Sequence, residues 1–294
     1  MNHSTKGLIY IALAGLSWST TGVLAHSLMG HHFLSTEVAF TRLFLGSLIF
    51  VLYFIMKDRS LFRIGKKGLT LTLIMGIFTQ GIFNLAFFKS VSLIGVINAT
   101  ILLYLAPIFI TFFSALFYKE KIQFIKKLGV SLSIIGSVLA LTGGLLNFEN
   151  ISLLGVAFGL YAALGYSLVS IFSKFGLRDH HAFTLIFYSF LFGMVVIFPF
   201  VQIGQILTKI DTPSIFFTTL GLGIFPASLA YIFYFKGIST GIDLSKVGVM
   251  SLIELIFAIL LSVALLGEML TPLKIFGLAT IVFSIYLMNH SKAK

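Results

Sequence analysis

Apolar residues gather along the chain into ten long runs, at approximately 7–27, 35–56, 69–89, 93–118, 126–146, 151–174, 183–202, 214–236, 245–267 and 273–289. The stretches between them are short. A run of about 20 apolar residues crosses the hydrocarbon of a bilayer as one helix. Several runs are rich in Phe and Ile, but no soluble domain needs ten such lengths. The pattern predicts an all-α integral membrane protein with ten transmembrane helices.

Composition agrees. Of 294 residues, 58% are hydrophobic and only 10% charged, against roughly 25% charged in a soluble domain. Little soluble mass is therefore expected. The chain has no cysteine, which excludes disulfides, thiolate metal sites and cysteine nucleophiles. The first run is full length with no small-residue cleavage site after it, so no signal peptide is expected. The net charge of +11 raises the question of nucleic acid, but the bases lie in short loops and topology accounts for them better. With a cytoplasmic N-terminus, sixteen Lys and Arg fall inside: Lys6; Lys57, Arg59, Arg63, Lys66 and Lys67; Lys119, Lys121, Lys126 and Lys127; Lys174 and Arg178; Lys236 and Lys246; Lys292 and Lys294. Only Lys89, Lys209 and Lys274 fall outside, with Arg42 inside a helix. Both termini are expected in the cytoplasm, in a multi-pass protein of the inner (plasma) membrane.

The chain repeats itself. Gly7 and Gly155, Trp18 and Tyr166, Glu120 and Glu268, and Gly129 and Gly277 are each 148 residues apart. Gly76-Ile77-Phe78 and Gly223-Ile224-Phe225 match at 147, as do Lys89 and Lys236, and His31-His32 matches His180-His181 at 149. These pairs predict two five-helix repeats, 1–146 and 151–294, forming one transmembrane domain. Five is odd, so the second copy enters the membrane the opposite way up. Two inverted halves are the plan of transporters, with the site at their interface near the midplane.

The segments LYLAPIFITFFSALFYKEKIQFIKKLGV (103–130) and SLIELIFAILLSVALLGEMLTPLKIFGL (251–278) resemble the EamA-like ten-helix transporters of the drug/metabolite superfamily. That family's repeat has an apolar helix with a Pro, a Glu at its end and a Gly opening the next helix. The resemblance covers the whole chain, including TRLFLGSLIF (41–50) and YIFYFKGIS (231–239). It implies a ten-helix transporter and leaves the substrate open. Where the first repeat has Pro107, the second has Leu255, directly after Glu254, so no proline is expected to kink the ninth helix.

Few residues carry chemistry within the runs. Glu254 is nine residues from Ser245, hence ~14 Å deep and close to the midplane. A carboxyl there costs several kcal/mol unless it is paired, protonated or facing water. It is read as handling substrate or protons, against the plainer alternative of an acid neutralised by packing. Arg42 lies about 10 Å deep, and a guanidinium at that depth needs a partner. Glu37, five positions away, sits on a different face. Arg42 is therefore either a substrate contact or a tie between helices. Trp18, Asn84, Tyr104, Tyr166, Tyr188 and Tyr231 are candidate lining residues, because a deep aromatic with a polar tip needs a partner or water. Filling the bundle is the alternative for each. Pro107 and Pro226 each remove a backbone donor and are candidate hinges. Small residues four apart (Gly15 and Ser19; Gly155 and Gly159; Gly129, Ser133 and Ser137) mark close helix contacts. Glu120 and Glu268, near helix ends, are read as structural, and the two histidine pairs as solvated loop residues without a metal. No phosphate loop, metal-binding helix motif or nucleophile arrangement occurs, so neither enzymatic activity nor a cofactor is expected.

Arg42 and Glu254 together suit a zwitterion, guanidinium to carboxylate and carboxylate to ammonium. The leading expectation is a secondary transporter exporting amino acids or related metabolites, acting as a uniporter or coupled to protons through Glu254. Its partners would be a small-molecule substrate, protons if Glu254 carries them, and the lipid bilayer, with no nucleic acid. A monomer or a homodimer fits equally. The alternatives are a transporter of organic cations centred on Glu254 and a non-transporting membrane scaffold.

Overall fold

The computed structural model describes residues 3–145 and 152–290, and every regular element among them is helical. The expected boundaries at 146 and 151, the outer limits of both repeats, and Lys292 and Lys294 lie outside the described residues. The α-helices in chain order are α1 (His3–Gly30), α2 (Ser35–Lys57), α3 (Lys66–Met75), α4 (Phe83–Leu103), α5 (Ala106–Tyr118), α6 (Phe124–Thr142), α7 (Leu153–Gly176), α8 (Ala182–Ile197), α9 (Ile203–Lys209), α10 (Pro213–Leu222), α11 (Ala230–Ser239), α12 (Leu244–Met250), α13 (Ile253–Leu266) and α14 (Pro272–His290). Some of these join end to end. Nine continuous stretches among the described residues are long and apolar enough to cross a membrane, while α5, equally apolar, has only 13 residues.

The interruptions come in matched pairs. Between α3 and α4 the helix widens into a π segment, Gly76–Ile82, and between α10 and α11 into another, Gly223–Leu229. They begin 147 residues apart, at the paired Gly-Ile-Phe sequences. A π turn leaves carbonyls without their usual donors, and short side chains serve them. Thr79 Oγ1 donates to Met75 O at 2.7 Å and Ser228 Oγ to Gly223 O at 2.9 Å. Tyr104-Leu105 separates α4 from α5, and Ser251-Leu252 separates α12 from α13, again 147 apart.

This second pair corrects the expectation of an unbroken ninth helix. The break occurs without proline, and the shared register sets Pro107 opposite Glu254, each the second residue of its half-helix, rather than opposite Leu255. Within α4, Gly95 has φ 80° and ψ 158°, a conformation open to glycine and costly for other residues. The chain therefore bends there, just inside the fourth expected run.

The two halves cross-pack. The first π segment lies against α8, where Gly76 meets Ser189 and Phe192 and Gly193 meets Gln80. The second lies against α2, where Gly223 meets Leu45 and Gly46 meets Phe190 and Ala227. α6 and α14 pack closely through Gly129, Gly136 and Gly277, and Gly155 and Gly159 bring α7 against α4. The small-residue pattern thus marks close approach, as expected. Large apolar side chains such as Met56, Phe112, Leu116, Phe217 and Phe276 point outward, while Ser17, Ser133, Ser137 and Thr72 are buried and donate to carbonyls of their own helices. That inversion suits a lipid surround, where apolar surface needs no burial and polar groups do.

Candidate functional site

The deepest polar residues converge where these irregular points meet. Glu254 sits in the first turn of α13, just past the Ser251-Leu252 break. The amides of a helix start favour a carboxylate there. Gly15 of α1 lies close against the Glu254 backbone nitrogen, where a Cβ would sit only 3.0 Å away. Glu254 is half-buried as a residue, and its carboxyl lies within electrostatic reach of Arg42 and is faced by the Tyr166 hydroxyl of α7. Tyr104, at the matching break between α4 and α5, is also half-buried and within reach of Glu254 and Tyr166. Tyr166, too, is half-buried, so three polar side chains of this cluster keep some accessible surface.

Arg42 approaches the Glu254 carboxyl from α2. Its Nη2 donates to Asn84 Oδ1 at 3.1 Å, and Asn84 Nδ2 in turn donates to Gln80 O in the first π segment. Gln80 and Tyr231 are joined twice, by Nε2 to the tyrosine oxygen at 2.9 Å and by the hydroxyl to Oε1 at 3.1 Å. Arg42 therefore has a neutral tether, and it is absent from the ion pairs found among the described residues. Trp18 packs among the tyrosines of this cluster. Its ring lies 6.0 Å from Tyr166, 5.4 Å edge-on from Tyr231 and 5.0 Å from Tyr234, centroid to centroid. Tyr234 is fixed by Ser170 at 2.6 Å.

Of the residues expected from the sequence, Glu254, Arg42, Trp18, Asn84, Tyr104, Tyr166 and Tyr231 meet in one region. Tyr188 does not join them. Its hydroxyl donates to Phe62 O at 2.8 Å, tying α8 to the loop after α2, and its ring meets Phe187 edge-on and stacks on Phe192. Pro226 lies inside the second π segment and Pro107 at the start of α5, both at irregular points. Gln80 and Tyr234 join the cluster although the sequence analysis did not name them. Gln80 is an amide inside an apolar run, and Tyr234 lies three residues after Tyr231 on the same helix face. Glu37 is separate: Lys209 Nζ lies 2.6 Å from its Oε2, which also accepts from Leu34 N at 2.8 Å. His181 Nδ1 accepts from Phe183 N at 3.3 Å and caps α8.

Comparison with known proteins agrees with this architecture. A solved structure, described only as the crystal structure of a protein, superposes with a TM-score of 0.79 at 18% identity, covering 96% of each chain. At that identity the likeness concerns the fold alone. An uncharacterized transporter of Archaeoglobus fulgidus is 26% identical over 92% of both chains. The uncharacterized inner membrane transporter YicL of Salmonella typhimurium is 23% identical over 98% of this chain and 97% of its own. The pattern of the EamA-like transporter family matches twice, over residues 5–142 and 153–290. With both repeats matched and the irregular points of its helices paired across them, the chain belongs to the EamA-like transporter family, as a multi-pass membrane protein.

Proposed function

We propose that the protein is a secondary transporter that moves small zwitterionic metabolites, amino acids or their relatives, out of the cell across the inner membrane by alternating access. The observation that carries this reading is the pair of opposite charges, Glu254 and Arg42, facing one aromatic-lined region without an ion pair between them. A substrate with an ammonium and a carboxylate complements both ends, and Trp18, Tyr166 and Tyr231 supply ring faces. Pro107 and Pro226 serve as hinges in this reading, and Tyr104 and Asn84 line the path. Ten crossings fit this scheme: Gly241, with φ 80°, turns the chain between α11 and α12 much as Gly95 does within α4. The charge distribution supports cytoplasmic termini.

Counterflow in proteoliposomes tests the proposal, using labelled amino acids, polyamines and quaternary amines. Saturable exchange of a zwitterion is expected, weakened roughly 10–100-fold in both Glu254→Gln and Arg42→Ala, as for loss of a charged hydrogen bond of ~1.5–3 kcal/mol. Exchange of cations that survives Arg42→Ala and is lost in Glu254→Gln would favour an amine instead. A folded preparation that exchanges no member of the panel would overturn both readings.

A further inference from the structure

The two halves share their irregular points but differ in how their ends are paired. Glu120, just past α5, is only 8% exposed. Lys174 Nζ at the end of α7 donates to its Oε1 at 2.8 Å, Leu244 N donates to the same oxygen at 2.9 Å, and Ser245 N to Oε2 at 3.4 Å. Lys126, buried in α6, donates to Asp243 Oδ2 at 2.9 Å, immediately before α12. Every one of these links joins the first half to the second.

The same positions at the opposite end are open. Glu268, the counterpart of Glu120, is 50% exposed and lies 3.7 Å from Lys274 of its own half, itself the counterpart of Lys126. Residues Leu244 to Val249 of α12 are all buried, and α12 packs on α5. Their counterparts after Gly95 begin with Ile97 at 49% exposure, and the α4–α13 pair makes no comparable contact among the described residues. Ser114 of α5 is fully buried, while its counterpart Ser262 of α13 is half-buried.

We infer that Glu120, Lys174, Lys126 and Asp243 form a latch that shuts the end of the bundle where α5 stops and α12 starts, and that Glu268 and Lys274 form its mirror image, engaged when the first is released. In an inverted repeat, each half adopts in one state the conformation its partner has in the other. Exchanging the two conformations buries Glu268 against the amides after Gly95 and wets Glu120 and Lys126. A buried carboxylate or ammonium demands its partners, so each end is closed when paired and opens only when water replaces the pairing. The mirror is imperfect. The counterpart of Asp243, 147 residues earlier, is Val96, so the second latch lacks one acid and the observed state is favoured. On the charge distribution, the latched end is the cytoplasmic one.

The inference rests on the transporter reading, but its test needs no substrate. The chain contains no cysteine, so Ser114→Cys and Ser262→Cys each give a single reporter for a membrane-impermeant maleimide applied to either face. Ser262→Cys should label at least tenfold faster than Ser114→Cys. Adding Glu120→Gln and Asp243→Asn should raise the Ser114→Cys rate at least tenfold, from the cytoplasmic face, and lower that of Ser262→Cys. Asp243→Asn alone, the milder change, should move both rates in the same directions. Lys126→Asp should expose Ser114→Cys, and adding Asp243→Lys should protect it again, which a general loosening of the fold would not do. Unchanged rates in folded Asp243→Asn protein, or no recovery on charge reversal, would overturn the latch. Unchanged labelling beside working counterflow removes the latch alone, whereas the expected labelling beside a silent panel removes the substrate reading alone.

Discussion

Two ion pairs with similar chemistry differ in what surrounds them. Glu37 is 1% exposed, with one oxygen held by Lys209 and Leu34 and the other, Oε1, without a partner among the described residues. Removing Lys209 leaves a carboxylate in a dry setting, so Lys209→Met should lower stability by about 3 kcal/mol, and adding Glu37→Gln should recover much of it. Lys274→Met, which removes the partner of half-exposed Glu268, should change stability by less than ~0.5 kcal/mol. Unfolding midpoints in detergent check both. Gln80 offers a subtler case. Gln80→Leu leaves the buried Tyr231 hydroxyl without its amide partner and should cost about 1–3 kcal/mol, while Tyr231→Phe in the same chain should restore part of the loss. None of these partners is visible from sequence spacing, because Gln80 and Tyr231 are 151 residues apart.

At the scale of the helix, proline is not what decides irregularity. The second π segment contains Pro226, but the first has Thr79 at the matching position and forms the same widened turn. Likewise α12 and α13 separate at Ser251-Leu252 with no proline nearby, just as α4 and α5 separate before Pro107. The shared causes are close cross-packing at glycine and hydroxyl groups that serve the freed carbonyls. Pro226→Ala should therefore keep the π segment and alter stability by less than about 1 kcal/mol. A gain approaching ~3 kcal/mol, the usual penalty of proline inside a regular helix, would show that proline imposes the distortion after all.

At the scale of the molecule, the halves are held together where backbone meets backbone. A Cβ on Gly277 would collide with the Ala140 backbone and the Gly136 carbonyl, so α6 and α14 cannot keep their spacing with any larger residue there. Gly277→Leu should force these helices apart and cost about 1–3 kcal/mol, the range for overpacking, read as a lower detergent melting temperature. Gly22→Ala, where added atoms meet open space, is the matched control and should be close to neutral.

Membrane crossing, the two-repeat plan and most of the residues that converge around Glu254 were legible in the sequence alone. Transfer into lipid depends on apolar content summed over a window, repetition is a property of order, and a charge at mid-run is costly whatever packs beside it. Tertiary structure decided the rest. It brought Gln80 and Tyr234 to the cluster and took Tyr188 to a loop, since convergence depends on the rotation of each helix against its neighbours. It broke the ninth run before Glu254, since packing and carbonyl pairing outweigh local propensity. It also set the pairing at the ends of the halves: Glu120 with Leu244 and Lys126 with Asp243 join residues 124 and 117 positions apart, which no local pattern brings together.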